Sequence, residues 1–294
     1  MSRRRRSPGR RQRRSGVDRH ATAPSSLKGV AEGDTIHRTA RALQEALGGR
    51  PIVDVATPNP QSPLRRQGQR VGRLRGSTLI RAEARGKHLL LHFEGDLILH
   101  SHLGMRGSWH VRPAGETEAR DRRAWVVLSV AAAQAVELDG SHLALRTEAE
   151  LRSDPRLRLL GPDVLAPDFD ASTGIAALRR TDQSRQLGEA LLDQRVLSGV
   201  GNIYKCEGCW SARIDPWWRL ADLGDNELQR VVIEIAALMR YGVETGRTPK
   251  SIYRRPGQPC PRCGARIEAR GQGDANRTTY WCATCQTGEV PGAG

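Results

Sequence analysis

The sequence predicts an α+β protein in three parts. These are an N-terminal helix with an antiparallel β-sandwich, a helical domain, and a C-terminal four-cysteine β-hairpin. Three observations carry this reading. Between residues 52 and 146, short and partly β-branched runs alternate with turn residues. After about residue 150 the apolar period lengthens to that of helices. Four of the six cysteines then close the chain in two Cys-x2-Cys pairs.

Residues 1–30 read as an Arg-rich disordered leader with Ser, Pro and Gly and no apolar period. Foldable sequence begins near Glu32. Asp34 is a candidate N-cap, and Ile36, Ala40, Leu43 and Leu47 line one helix face, ended by Gly48–Gly49. Strands are expected at Ile52–Ala56, Ser77–Ala82, His88–Phe93, Leu97–Ser101, Trp125–Val130, Ala135–Leu138 and His142–Arg146. Glu94-Gly95-Asp96 reads as one hairpin loop and Asp139-Gly140 as another. One helix followed by many antiparallel strands argues for a sandwich or flattened barrel covered by that helix, spanning 31–150.

Helices are expected at Ser172–Arg180, Arg185–Gln194, Asn202–Arg213 and Asn226–Tyr241, within a second domain at 151–248. In the last of these, Leu228, Val231, Ile235 and Leu238 share a face, and Gly224 and Gly242 mark the ends. Residues 249–287 form the cysteine-bearing module and 288–294 a tail.

The charge is distinctive. Formal net charge is +15 and the basic side chains are 43 Arg against four Lys. The leader holds nine Arg and one Lys against one Asp, so it carries +9 and the body +6. A basic body favours a polyanionic partner, nucleic acid first. The Arg bias also fits GC-rich bacterial coding, which weakens a functional reading of the leader. No run reaches the ~20 apolar residues of a membrane span, so a membrane partner is not expected. The leader lacks the apolar stretch of a secretory signal, and paired cysteines suit metal binding in a reducing cytoplasm.

Cys260-x2-Cys263-x18-Cys282-x2-Cys285 supplies four thiolates for one closed tetrahedral Zn2+ site, a structural rather than catalytic arrangement. Between the pairs, Arg277 and the hydroxyls of Thr278-Thr279-Tyr280 offer a phosphate or groove reader, or a solvated face on a small ribbon. Gly199-Val200-Gly201-Asn202 lies between two helices. It reads either as a helix–helix turn or as an anion site of backbone N–H groups with Asn202 and Lys205 adding donors. Cys206-x2-Cys209 falls inside a helix and reads as buried core. His100-x-His102 shares a strand face and, without an evident third ligand, reads as a hydrogen-bonded structural pair.

Glu189 to Gln194 leading into Gly199-Val200-Gly201-Asn202-Ile203-Tyr204-Lys205 resembles the helix-two-turn-helix of the formamidopyrimidine-DNA glycosylase and endonuclease VIII family. Glu32 to Ile36, Arg85 to Leu90, His102 to Met105, Tyr253, Pro259 to Gly264 and Arg277 to Gln286 resemble that family's other motifs, in the same order. The resemblance spans residues 31 to about 287. It implies a base-excision-repair DNA glycosylase with AP-lyase activity, acting on damaged DNA as a monomer in the bacterial cytoplasm at the nucleoid. By position, Ala31 falls on the attacking N-terminal amine, Glu32 on its acidic partner and Lys87 on a phosphate-contacting lysine. Asn202 and Arg277 fall on the phosphate clamps, and Met105 on a residue that fills the gap left by a flipped base. Glu32-Gly33-Asp34-Thr35 and the short Gly242–Arg255 connection resemble the endonuclease VIII branch, which implies oxidised pyrimidines as substrates.

Two departures matter. Ala31 replaces the usual Pro, although any α-amine can form a Schiff base. Ala31 is also internal as written, and an amide nitrogen cannot attack. Translation from Val30, through a GTG start read as Met and then removed, would expose Ala31; so would proteolysis of the leader. If the leader persists, the alternative is a catalytically silent lesion-binding or abasic-site-binding protein of the same fold.

Overall fold

A computed structural model describes residues 31–115 and 121–288; the leader and most of the tail lie outside the described residues. The first described element is α1 (Gly33–Leu47), whose Ile36, Leu43 and Leu47 are fully buried. Glu32, not Asp34, is the N-cap residue, yet its side chain makes no capping bond to its own helix. Its carboxylate is engaged elsewhere, as described below.

Eight strands follow as two antiparallel four-stranded sheets. They are β1 (Asp54–Ala56), β2 (Leu79–Arg85), β3 (His88–Phe93), β4 (Leu97–His102), β5 (Ser108–Pro113), β6 (Ala124–Ser129), β7 (Ala133–Leu138) and β8 (His142–Arg146). A short α2 (Gly68–Gly72) interrupts them after β1. The sheet orders are β1-β6-β7-β5 and β2-β3-β4-β8. Leu43, Leu47, Leu79, Leu91, Leu99, Trp109, Val126, Leu128 and Leu145 join one core between the sheets and under α1. The sandwich covered by a helix is therefore the architecture found.

Among the strands, two details differ from expectation. Glu94-Gly95-Asp96 does turn β3 into β4, with Gly95 and Asp96 at positive φ. Asp139-Gly140 is not a hairpin, because β7 pairs with β5 and β6 whereas β8 pairs with β4. The chain crosses between sheets there, and two-residue turn chemistry carries no information about the sheet in which the next strand lands. The second correction is β5, which sequence reading left out. Trp109 and Val111 alternate inward, but the flanking glycines and the terminal Pro113 mask so short a run.

Helices α3 (Glu148–Ser153) and α4 (Pro155–Arg158) come next, the first closed by a capping box between Thr147 and Glu150. Leu151 and Leu157 pack on Leu90 and Ile98, so this segment covers the outer face of β3 and β4. The helical domain consists of α5 (Ala171–Arg180), α6 (Leu187–Leu192), α7 (Asn202–Ser211) and α8 (Asp225–Thr245), around Leu178, Leu191, Tyr204, Leu228, Val231 and Ile235. Gly242 does not end α8; Gly246 does, in the left-handed conformation at φ 71°. Gly242 is instead a contact point, since a Cβ there would lie 2.2 Å from the Tyr204 hydroxyl. The chain ends in the hairpin β9 (Glu268–Gln272) and β10 (Arg277–Trp281). No helix among the described residues is long and apolar enough to cross a membrane.

Buried in the sandwich, Glu137 accepts a hydrogen bond from Ser101 Oγ at 2.9 Å, and its other oxygen has no partner. Burial pushes its carboxyl from an ordinary 4.5 up to about 8, with the Ser101 bond only partly opposing. Because the folded value lies above the unfolded one, the native state keeps a proton that the unfolded chain loses. This contribution is complete below about pH 4.5 and is lost as pH rises through about 8. Glu137→Gln should remove that slope, so the variant gains on wild type by on the order of 3 kcal/mol between pH 5 and 8. Urea denaturation at several pH values measures it.

Candidate functional site

The chemistry gathers where the three parts meet. Gly33 N–H donates to Gly199 O at 2.9 Å, and a Cβ on Gly33 would come within 3.0 Å of Gly199 Cα. The start of α1 and the turn before α7 thus touch backbone to backbone. This contact delivers Glu32 to the N-terminus of α7, where its carboxylate accepts from Ile203 N–H at 2.9 Å and Tyr204 N–H at 3.3 Å. The Gly199–Gly201 turn is indeed an anion site, but the anion on these two amides is the protein's own Glu32. Gly201 leaves room for it: a Cβ there would lie 2.2 Å from the Glu32 carboxyl carbon.

Glu32 is almost wholly buried. Burial raises its pKa, opposed by the charge of Lys87 and by the two amide bonds. Lys87, at the turn between β2 and β3, is partly buried. Desolvation lowers its pKa and Arg277 adds to that, while Glu32 opposes it. The pair therefore sits with both charged forms disfavoured by burial and favoured by each other.

Ala31, Glu32, Lys87, Met105, Asn202 and Arg277 line one cleft of about 490 Å³. Six of the seven non-metal residues singled out from sequence thus share it. They come from the segment leading into α1, the β2–β3 turn, the loop after β4, the start of α7 and the finger hairpin. Asn202 Nδ2 donates to Thr278 O at 2.8 Å, which ties α7 to the strand bearing Arg277. Arg277 reaches across to the Met105 sulfur at 3.7 Å, and Met105 is 71% exposed.

Lys205 is the exception. It is fully buried and its ammonium donates to Thr279 Oγ1, so it pins β10 against α7 and does not face the cleft. In a helix beginning at Asn202, position 205 lies one turn in, on the side the finger covers. Sequence reading also missed cleft residues, among them His102, Arg185, Glu189 and Gln272. His102 and Glu189 lay within quoted motifs without being singled out as cleft residues, whereas Arg185 and Gln272 carried no local signal. Gln272 holds the hairpin down by donating to Pro216 O at 2.8 Å, a contact no local pattern announces.

The four cysteines of the finger are clustered. Cys260 and Cys285 sulfurs are 3.8 Å apart and Cys263 and Cys282 sulfurs 3.6 Å. Four sulfurs about 2.3 Å from one metal would be about 3.8 Å from each other, so the donor set fits one structural zinc. Cys206 and Cys209 stay out of it as buried core residues, Cys206 accepting from Tyr280 N–H. Glu207 supports the module from α7 by accepting from Ser251, Ile252 and Tyr253 N–H groups.

Comparison with known proteins settles the family. The formamidopyrimidine-DNA glycosylase N-terminal domain matches residues 30–153, its H2TH domain 160–253, and the zinc finger found in FPG and IleRS 257–288. A Streptomyces coelicolor protein named "Probable endonuclease 8 2" is 37% identical over 281 residues, covering 90% of this chain and 97% of its own length. The chain belongs to the formamidopyrimidine-DNA glycosylase and endonuclease VIII family. The DNA-(apurinic or apyrimidinic site) lyase Nei2 of Mycolicibacterium smegmatis is 34% identical, covering 88% of this chain and 99% of its own. The Lactococcus lactis Fpg complex with abasic-site DNA shares the fold, with a TM-score of 0.76 at 24% identity over 87% of this chain and 99% of that one. The finger accordingly holds one structural zinc.

Two outcomes test this geometry. Gly201→Ala should push Glu32 off the α7 amides and cost about 1–3 kcal/mol, read by urea denaturation. Removing zinc with a chelator should release the hairpin and detach Arg277, so that trypsin newly cuts within 257–288 while the sandwich stays resistant.

Proposed function

We propose that this chain is a bifunctional DNA glycosylase and AP lyase of base excision repair, with Ala31 as nucleophile and oxidised pyrimidines as substrates. The observation that carries it is the cleft itself. A position for a backbone amine at Ala31, a buried carboxyl at Glu32 and a desolvated Lys87 face Asn202 and Arg277 across one opening.

The chemistry follows from the amine. An α-amine ordinarily titrates near 7.7–8.0, so a useful fraction is uncharged at neutral pH. Its lone pair attacks C1′ of the damaged nucleotide while the sugar ring opens and the base departs with a proton. Glu32, its pKa raised by burial, is the group placed to supply and recover protons. The resulting iminium acidifies the 2′ proton, whose loss expels the 3′ phosphate; a second elimination expels the 5′ phosphate. Lys87, Asn202 and Arg277 would hold the backbone phosphates, and exposed Met105 would enter the gap left by the flipped nucleotide. The pyrimidine preference rests on Glu32-Gly33-Asp34-Thr35 and on the short Gly242–Arg255 connection, which leaves little room for a long capping loop.

All of this requires a free amine at Ala31. The family match begins at residue 30, so a form whose N-terminus is Ala31 keeps residues 31–153 of the matched domain. Borohydride trapping on abasic-site DNA tests the proposal, comparing the 294-residue chain with a form beginning Met-Ala31. A covalent adduct from the shorter form alone is the expected result. Binding without an adduct from either form would remove the lyase assignment and leave a lesion-binding protein.

A further inference from the structure

Beside the cleft residue His102, the sheet β2-β3-β4-β8 carries a second cluster of chemically able side chains. His88 and His142 flank His102 in one cross-strand row, and His100 lies two residues along β4 on the same face. The α3–α4 turn covers this face and brings Asp154 onto it, 3.9 Å from the Nδ1 of His100. One nitrogen each of His100 and His142, together with an Asp154 oxygen, all lie within 4.8 Å of one another.

The hydrogen-bond accounting of the two rings is incomplete. His100 Nε2 pairs with His88 Nδ1 at 2.8 Å, which leaves His100 Nδ1 buried and without a partner. His142 Nε2 is also buried and without a partner. Orphaned buried polar atoms are uncommon in native folds, and two of them on rings 4.8 Å apart, both close to Asp154, call for one explanation. We propose that His100 Nδ1, His142 Nε2 and the Asp154 carboxylate form a second metal site, for Zn2+ or another late first-row divalent cation.

The donor set suits such an ion. Two imidazoles and a carboxylate form a three-ligand set with a fourth position for water, and imidazole disfavours Mg2+ and Ca2+. The tautomers agree as well. With its Nδ1 lone pair on the metal, His100 must carry its proton on Nε2 and donate to His88, the outer bond that orients ligating histidines. Two groups oppose binding. Arg156 lies 3.6 Å from an Asp154 oxygen, and Arg146 presses its charge on both His100 and His142. Affinity should therefore be weaker than that of the four-thiolate finger. Bound metal would clamp β4, β8 and the α3–α4 turn. Through His88, whose ring lies 4.8 Å from that of His102, the clamp reaches the wall of the cleft.

The test uses the untagged full chain with its finger loaded with zinc, titrated with Co2+ and followed by equilibrium dialysis and absorption spectroscopy. One Co2+ per chain should bind beyond the finger zinc, giving weak visible ligand-field bands without the intense thiolate-to-cobalt charge-transfer band. His142→Gln and Asp154→Asn should each weaken binding by more than about tenfold. Asp154→Asn keeps a side-chain oxygen to accept from Arg156 N–H at the start of α4, so the fold is preserved. An unchanged metal-free melting temperature and unchanged finger zinc would verify that. Failure of wild type to bind Co2+ beyond the finger would overturn the site. So would a thiolate signature, or affinity that both substitutions leave intact.

Discussion

The bond from the Glu32 carboxylate to the first amides of α7 is the constraint on which the rest of the molecule depends. A helix N-terminus leaves unpaired N–H groups, and a buried carboxylate needs donors; each satisfies the other here. The price in space is two glycines, Gly33 and Gly201, because any side chain at either position would occupy the contact. The same bond explains why α1 starts without a side-chain cap, since the residue in the capping position is committed to another helix.

Everything at the cleft is placed relative to that contact. Once α7 is fixed against the sandwich, Asn202 at its first position shares the cleft with Ala31, and Lys205 one turn later faces the finger. The buried Lys205–Thr279 bond and the Asn202–Thr278 bond then set β10, and with it Arg277, opposite Met105 and Lys87. Zinc holds the finger together internally, whereas these bonds and the Gln272 contact orient it. Loss of either would misplace the same guanidinium for different reasons.

Burial also sets the protonation chemistry. Glu32 and Lys87 are each pushed toward neutrality by desolvation and held toward charge by their mutual attraction. Such a pair responds to any third charge entering the cleft, and a phosphate beside Lys87 is one of that kind. Glu137 shows the contrasting case: with no cation beside it, burial alone dominates and its carboxyl stays protonated at neutral pH.

Sequence by itself determined the α+β class, the three-part order, the finger with its four ligands, and six residues of the cleft. These were legible because each rests on local spacing: Cys-x2-Cys turns, period-two strands, and short ordered motifs that resemble a known family. It also placed Cys206 and Cys209 in the core, because a pair at i, i+3 within a helix and beside Trp210 is the pattern of packed cysteines. Tertiary structure alone decided the rest. The sheet membership of β7 and β8 across Asp139-Gly140, the inward aim of Lys205, and the convergence of His100, His142 and Asp154 depend on contacts far apart in the chain. The anion site at Gly199–Gly201 is the clearest instance. Local geometry specifies that amides are offered there, but only the packing of α1 against α7 decides that Glu32 takes two of them.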